Sequence, residues 1–402
     1  MTKPLNIGCF LSDVSTGGGH YLTRDFARNI LKLNSSDFKI NLVTTTNIFN
    51  KYLKENNLEY IELKFNFWEN FLIRFWKIRI IRFIFNFLRI SSPIKNFFKK
   101  KKFDLIIFNS PSVYTLFCKN INFVASIWNT EIDDLKNFTE FNKKNFNYQK
   151  NIINVIVKES FKLFVFTNKN KEDLLNRFNC LEDKIVIQNV KPFFPKIYED
   201  TKDKSIFEYE YRKLHLNKDK KWIFYPAQFW SHKNHEYIIN SIEEIDKLNM
   251  TNINFVFCGR DKGHLKKIKN KINKKNLSER FKIFDYLDDN KVISLYLYTH
   301  ALVIPTYVGR TTMPLLEGLF FNKKIFYTNN ILDKKFYDYV TGINLRKPKN
   351  FAEKLFEYFS KEYSCRSNYT KIYNEECNDE LFLLRYKQIL NQFKSIKNNF
   401  KQ

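Results

Sequence analysis

Residues 301–326, ALVIPTYVGRTTMPLLEGLFFNKKIF, gather groups able to hold a polar ligand into one short stretch. Gly309, Arg310, Thr311, Thr312 and Met313 offer backbone amides, two hydroxyls and a guanidinium. They lie between an apolar run, Ala301–Ile304, and a helical face of Leu315, Leu316, Leu319 and Phe320. Pro305 stops the run, and Pro314 suits a first helical position, where its missing N–H has no partner to lose. Glu317 follows about one turn inside the helix. A strand, a polar loop and a helix N-terminus in that order bind anions and polyols at the carboxyl edge of a parallel sheet.

Other candidate groups occupy equivalent places. A strand at Trp222–Tyr225 leads into PAQFWSHKNHEY, with Gln228 and Lys233, and a strand at Asn254–Cys258 leads into Gly259, Arg260 and Asp261. Lys233 by itself is one lysine in a lysine-rich chain; its place after the first strand of the second half favours a ligand. In the first half, Leu5–Leu11 runs into Gly17, Gly18 and Gly19 and then a helical spacing from Tyr21. That loop lets backbone approach a ligand, or merely reverses the chain, and its spacing is not the dinucleotide fingerprint. His20 follows it, and Trp128-Asn129-Thr130 follows another strand at Asn122–Ile127. Glu131, Asp133 and Asp134 read either as a ligand-facing cluster or, as acids at a loop-to-helix junction more often do, as capping, solvated groups. His232 and His235 lack a third metal ligand and read as loop structure, and Asp288-Asp289 reads as a helix N-cap. No metal and no cofactor are expected.

The elements that must position these groups alternate strand and helix throughout, the pattern of parallel sheets covered on both faces. The 402 residues predict two Rossmann-like domains facing across a cleft, 1–195 and 196–380. A helix and basic tail at 381–402 are expected to pack back on the first domain. Asn168 or Asn170 is expected to cap the helix carrying Leu174, Leu175 and Phe178. The six cysteines are scattered, which fits a reducing cytoplasm, and the N-terminus reads as a first strand and not a secretory signal. With 68 basic and 42 acidic residues the formal charge is +26, which favours a polyanionic surface, either nucleic acid or anionic lipid.

Asn66–Phe103 stands apart. It interleaves Trp, Phe and Ile with Arg74, Lys77, Arg79, Arg82, Arg89 and Lys95, then the run Lys99–Lys102. An interfacial helix needs this mixture, rings for the headgroup region and cations for anionic lipid. A helix that covers the sheet with solvated arginines is the plainer reading. Single-stranded nucleic acid uses the same chemistry, but no RNP-like or helix-turn-helix pattern accompanies it, which disfavours that partner.

Taken together, Ile223–His235, Phe255–Gly263 and Leu302–Lys324 resemble the family 4 retaining glycosyltransferases of the GT-B fold (glycosyl transferases group 1). The last stretch resembles a variant branch in which a G-x-T-x-x-P loop replaces the first of two glutamates. The resemblance implies a nucleotide-sugar donor held in the second half, without a metal. Lys233 matches the residue on the donor diphosphate, and Gln228 stands where an arginine is usual, with Arg260 or Arg310 as substitutes. Glu317 matches the ribose-binding glutamate, Lys233 and Glu317 being the implied catalytic pair. Gly309–Met313 face the sugar, Gly18 and Gly19 approach the diphosphate, and Gly259 completes the donor side. The acceptor side is implied at His20, Trp128 and Asn129. The expected activity is transfer of a sugar to a lipid-linked, lipopolysaccharide or other surface-glycan acceptor, at the cytoplasmic face of the membrane, with 66–103 in contact with anionic lipid. The alternatives are a non-transferase GT-B enzyme such as a nucleotide-sugar epimerase, or a basic nucleic-acid-binding protein.

Overall fold

A computed structural model of the chain describes residues 3–14, 17–45, 47–140, 143–188, 190–309, 313–329, 331–360 and 369–399. Arg310, Thr311 and Thr312 lie outside the described residues.

The strands are β1 (Leu5–Phe10), β2 (Phe38–Thr44), β3 (Tyr60–Glu62), β4 (Leu105–Phe108), β5 (Phe123–Ser126), β6 (Lys162–Val165) and β7 (Ile185–Ile187) in a first sheet. A second sheet holds β8 (Lys221–Pro226), β9 (Ile253–Cys258), β10 (Phe281–Phe284), β11 (Ala301–Ile304), β12 (Lys324–Thr328) and β13 (Thr341–Ile343). Their orders are β3-β2-β1-β4-β5-β6-β7 and β10-β9-β8-β11-β12-β13, and every pairing is parallel. Each sheet is doubly wound, with strand order reversing beside its first strand: between β1 and β4, and between β8 and β11. Ligands bind such sheets outside the carboxyl ends of the strands at that reversal.

The chain forms two compact units. One comprises Met1–Ile132, Lys144–Lys191 and Asn378–Gln402; the other comprises Asp133–Lys143 and Pro192–Cys377. The helix Asp379–Asn399 returns to the first unit as expected, burying Tyr386, Ile389, Leu390 and Phe393 in the cluster that holds Ile7, Leu42, Leu105 and Phe164. Asp133–Lys143 groups with the second unit although it is encoded between two strands of the first sheet.

Several local expectations are corrected. Asn66–Phe103 is three helices, Phe67–Trp76, Arg79–Phe87 and Pro93–Lys100; Asn66 and Glu69 close a capping box on the first, and Ser92 caps the last. The helix Asn168–Phe178 is capped by Thr167, whose hydroxyl accepts from Asn170 N at 3.0 Å. Glu131 is buried, not solvated, and accepts from Thr130 N at 3.1 Å. Asp288 does cap its helix, Asp289–Tyr298, accepting from Lys291 N at 3.0 Å. Among the described residues no helix is long and apolar enough to cross a membrane.

Candidate active site

The loops after β8 and β11 meet at the strand reversal of the second sheet. After β8, Ser231–Lys233 form a short 3-10 turn, and Asn234 adopts the left-handed conformation that starts the helix His235–Lys247. The Lys233 carbonyl accepts from Tyr225 Oη at 2.7 Å. After β11, Tyr307 N donates to the His232 carbonyl at 2.9 Å, and the Thr306 hydroxyl donates to Val308 O at 2.6 Å. Gly309 then takes φ +108°, a conformation that favours glycine, and a Cβ placed on it would lie 3.5 Å from Lys233 Nζ. The lysine ammonium therefore stands against the backbone of the loop that precedes the helix Met313–Phe320.

A third loop supports these two. Gly259 lies so near the β8 loop that a Cβ would fall 2.3 Å from the Ala227 carbonyl oxygen. Phe229 N donates to Arg260 O at 3.0 Å, and the Arg260 guanidinium lies over the Tyr286 ring at 5.0 Å. Gln228 accepts from Trp230 Nε1 at 3.0 Å. Lys233, Gly309, Gln228 and Gly259 thus belong to one strand-end cluster, with Arg260 at its margin.

Glu317 sits in the interior on the helix Met313–Phe320. Its Oε2 accepts from Tyr296 Oη, itself fully buried. Burial pushes the carboxyl up to about 8, against the lowering effect of the Tyr296 hydrogen bond. At neutral pH this group holds its proton. His235 is enclosed by the rings of Phe229, Tyr225 and Phe257 at 4.7, 4.8 and 5.0 Å, and burial pulls it down to about 3. It is a neutral core residue.

His232 has a partner that its sequence neighbourhood does not disclose. Glu140 Oε1 lies 2.5 Å from His232 Nδ1 and accepts from His232 N at 3.1 Å, while Glu140 Oε2 accepts from the Ser231 hydroxyl at 2.5 Å. Burial raises the Glu140 carboxyl, but the hydrogen bonds from Ser231 and His232 outweigh it and hold the group at about 2. Burial and the adjacent Lys233 charge take His232 down to about 4. The pair at neutral pH is a carboxylate and a neutral imidazole with Nδ1 as donor.

In the first unit, Gly17 takes φ +75° ahead of the helix Gly18–Ile30. Gly19 packs on Trp128, whose ring a Cβ would meet at 2.5 Å, and Trp128 Nε1 donates to Asn109 O at 2.9 Å. Asn109 Nδ2 donates to the Thr23 hydroxyl at 2.9 Å, joining the β4 loop to that helix. Gly19 and Trp128 are therefore together at the reversal of the first sheet. Asn129 is exposed, and His20 stacks on Phe49 at 4.8 Å. Among the described residues no group of His, Cys, Asp and Glu is arranged to hold a metal ion.

The loops after β8, β9 and β11 lie in a stretch with known counterparts: residues 207–371 match the model of the family described as glycosyl transferases group 1. That match lies within the second unit, between Pro192 and Cys377. Solved structures similar over the whole chain have the same GT-B architecture. A glycosyltransferase from Rickettsia africae ESF-5 aligns with TM-score 0.70 and 16% identity, covering 98% of this chain and 99% of that one. Anabaena Alr3699/HepE, solved with UDP-glucose, aligns with TM-score 0.66 and 12% identity over 97% and 99% of the two chains. The lipopolysaccharide outer core galactosyltransferase WaaB aligns with TM-score 0.61 and 13% identity over 96% and 99%. At these identities the likeness concerns the fold. No curated protein matches the sequence.

Proposed function

We propose that this protein is a retaining glycosyltransferase of the family 4 type that moves a sugar from a nucleotide-sugar donor to a lipid-linked or lipopolysaccharide-type acceptor at an anionic membrane surface. The observation that carries the donor part is the Lys233 ammonium set against Gly309 at the strand reversal of a group 1 domain. In the reaction the bond from the anomeric carbon to the diphosphate breaks while a bond to the acceptor oxygen forms. The acceptor proton passes to the departing phosphate oxygen, so no protein base is required. Lys233 and the N-terminal amides of His235–Lys247 supply positive potential for the developing phosphate charge. The resemblance assigns Glu317 to the ribose; in this structure its carboxyl is buried and accepts from Tyr296 Oη. The UDP-glucose complex of the Anabaena neighbour supports a donor of this class.

The membrane part rests on the helices Phe67–Trp76 and Arg79–Phe87. Trp68, Ile80, Phe83 and Phe87 are 70, 72, 72 and 78% exposed. Around them, 66–103 carries ten Lys or Arg and one acid, Glu69, which is engaged in the capping box. Exposed large apolar side chains in such a cluster mark a binding face, and the cations interspersed along the same segment suit anionic lipid. A second copy of the same face would set cations against cations. The lipopolysaccharide neighbour supports a membrane-borne acceptor.

Turnover of UDP-, GDP- and ADP-sugars by the wild type, Lys233→Ala and Glu317→Ala tests the donor site. Removing the phosphate cation is expected to cost about 100-fold in kcat. Wild-type turnover in both variants would sink the assignment.

A further inference from the structure

Phe138–Glu140 is the part of the second unit that no reading of the donor half in isolation includes. It is encoded between β5 and β6 of the first sheet, yet it groups with the second unit. It touches both loops of the strand reversal. Glu140 accepts three hydrogen bonds from Ser231 and His232, and the Phe138 ring lies 5.5 Å from Tyr307 and 6.0 Å from His232. Lys233 is the next residue after His232, and the His232 carbonyl is the acceptor for Tyr307 N at 2.9 Å. One carboxylate therefore fixes the turn that carries the lysine and, through the His232 backbone, the loop that ends at Gly309.

We propose that Glu140 is a positioning residue of the donor site, supplied from the sequence of the first half, which clamps Ser231–Lys233 and holds His232 as its Nδ1–H tautomer. The physical case is that a carboxylate with a side-chain hydroxyl, a backbone amide and an imidazole N–H all directed at it is a preorganised anchor. The side chains of Glu140 and His232 are only 5% and 13% exposed, so removing the carboxylate leaves buried donors without an acceptor. The turn then relaxes, and Lys233 loses its place against Gly309. The carboxylate also fixes which imidazole nitrogen carries the proton, leaving Nε2 as the basic nitrogen.

The inference rests on the donor-site reading, and its test has one readout that does not. Nitrogen NMR of the His232 ring reports the tautomer without any ligand. The wild type is expected to show a protonated Nδ1, and Glu140→Ala a shift toward protonated Nε2. A wild-type ring protonated at Nε2 overturns the clamp. Titration with UDP-, GDP- and ADP-glucose is the second readout. For whichever binds the wild type, Glu140→Ala is expected to raise Kd about tenfold, a cost of about 1.4 kcal/mol. Glu140→Gln, which keeps an oxygen for Ser231 and the His232 amide, is expected to fall between the two. It also serves if the alanine variant fails to fold. Wild-type affinity in folded Glu140→Ala, or in Glu140→Gln together with an unchanged tautomer, overturns the positioning role. Absence of binding by the wild type to all three overturns the donor-site reading and the positioning role together, whatever the tautomer.

Discussion

The helix His235–Lys247 buries Tyr237, Ile238, Ile239, Ile242 and Ile245 and turns Glu243 and Lys247 outward, while the helix Arg79–Phe87 buries Arg82 and turns Ile80, Phe83 and Phe87 outward. The first is an ordinary amphipathic helix whose apolar stripe faces its own sheet. The second is inverted. Its guanidinium reaches Trp76 O at 3.3 Å and Asn151 Oδ1 at 3.4 Å, so the charge is used to hold the helix to its own unit. Phe83 and Phe87 stay exposed on the opposite side. Both helices have strong 3.6-residue patterning, so pattern alone does not say which face is inside. The partner of each face does.

The comparison breaks if the two helices respond alike to loss of apolar groups. Ile238→Ala is expected to lower unfolding free energy by about 2–5 kcal/mol, read from the denaturant midpoint. Phe83→Ser with Phe87→Ser is expected to leave stability within about 0.5 kcal/mol. The same double variant should weaken sedimentation with phosphatidylglycerol vesicles about 100-fold, since each ring contributes roughly 1.5–3 kcal/mol when buried. Equal vesicle binding would remove the membrane role of this face. Arg82→Ala sharpens the contrast. It should cost about 1–3 kcal/mol of stability, from the polar groups it leaves unpaired, and leave vesicle affinity unchanged.

A pH-dependent effect separates Arg82 and Glu317, both buried and ionisable. Burial and the nearby Arg79 push the Arg82 pKa down, but an arginine stays charged at neutral pH. Glu317 is pushed up to about 8 from an ordinary 4.5 and keeps its proton. Below the ordinary value both folded and unfolded chains are protonated there. Between that value and about 8 the unfolded chain releases the proton and the folded one does not, so Glu317's contribution to stability falls as pH rises through this window. Stability-against-pH curves for Glu317→Gln should be flatter than the wild type by up to about 1.4 kcal/mol per pH unit. Parallel curves would mean that the carboxyl is ionised in the fold.

Most of the fold is legible in the sequence, because buried parallel strands are short runs of apolar residues bounded by breakers. β11 coincides with the run Ala301–Ile304, and β8 and β9 differ from Trp222–Tyr225 and Asn254–Cys258 by at most one residue at either end. β13, Thr341–Ile343, escapes notice because three residues with a central glycine carry no period. The strand-end loops bearing Lys233, Gly259 and Gly309 are legible for the same reason, since each follows a readable strand. Glu140 is not. Its partners are 91 and 92 residues distant, and nothing in Phe138-Thr139-Glu140 marks an acid that will be enclosed. Arg82 is illegible for a related reason: spacing groups it with Arg79 and Asn86, and only the acceptors at Trp76 and Asn151 draw it inward.

The return of Asp379–Asn399 to the first sheet has a consequence for how the protein is made. Phe26, Phe161 and Phe164 on the first unit pack against Phe382, Tyr386 and Phe393, which leave the ribosome more than two hundred residues after Phe164. The second unit, Asp133–Lys143 with Pro192–Cys377, is complete in sequence before that helix is translated. During synthesis the second unit therefore has all its residues first, while the unit that begins the chain waits with part of its apolar core uncovered. A fragment ending at Lys191 would keep that surface permanently open, and its solubility should be restored by adding 378–402 in trans.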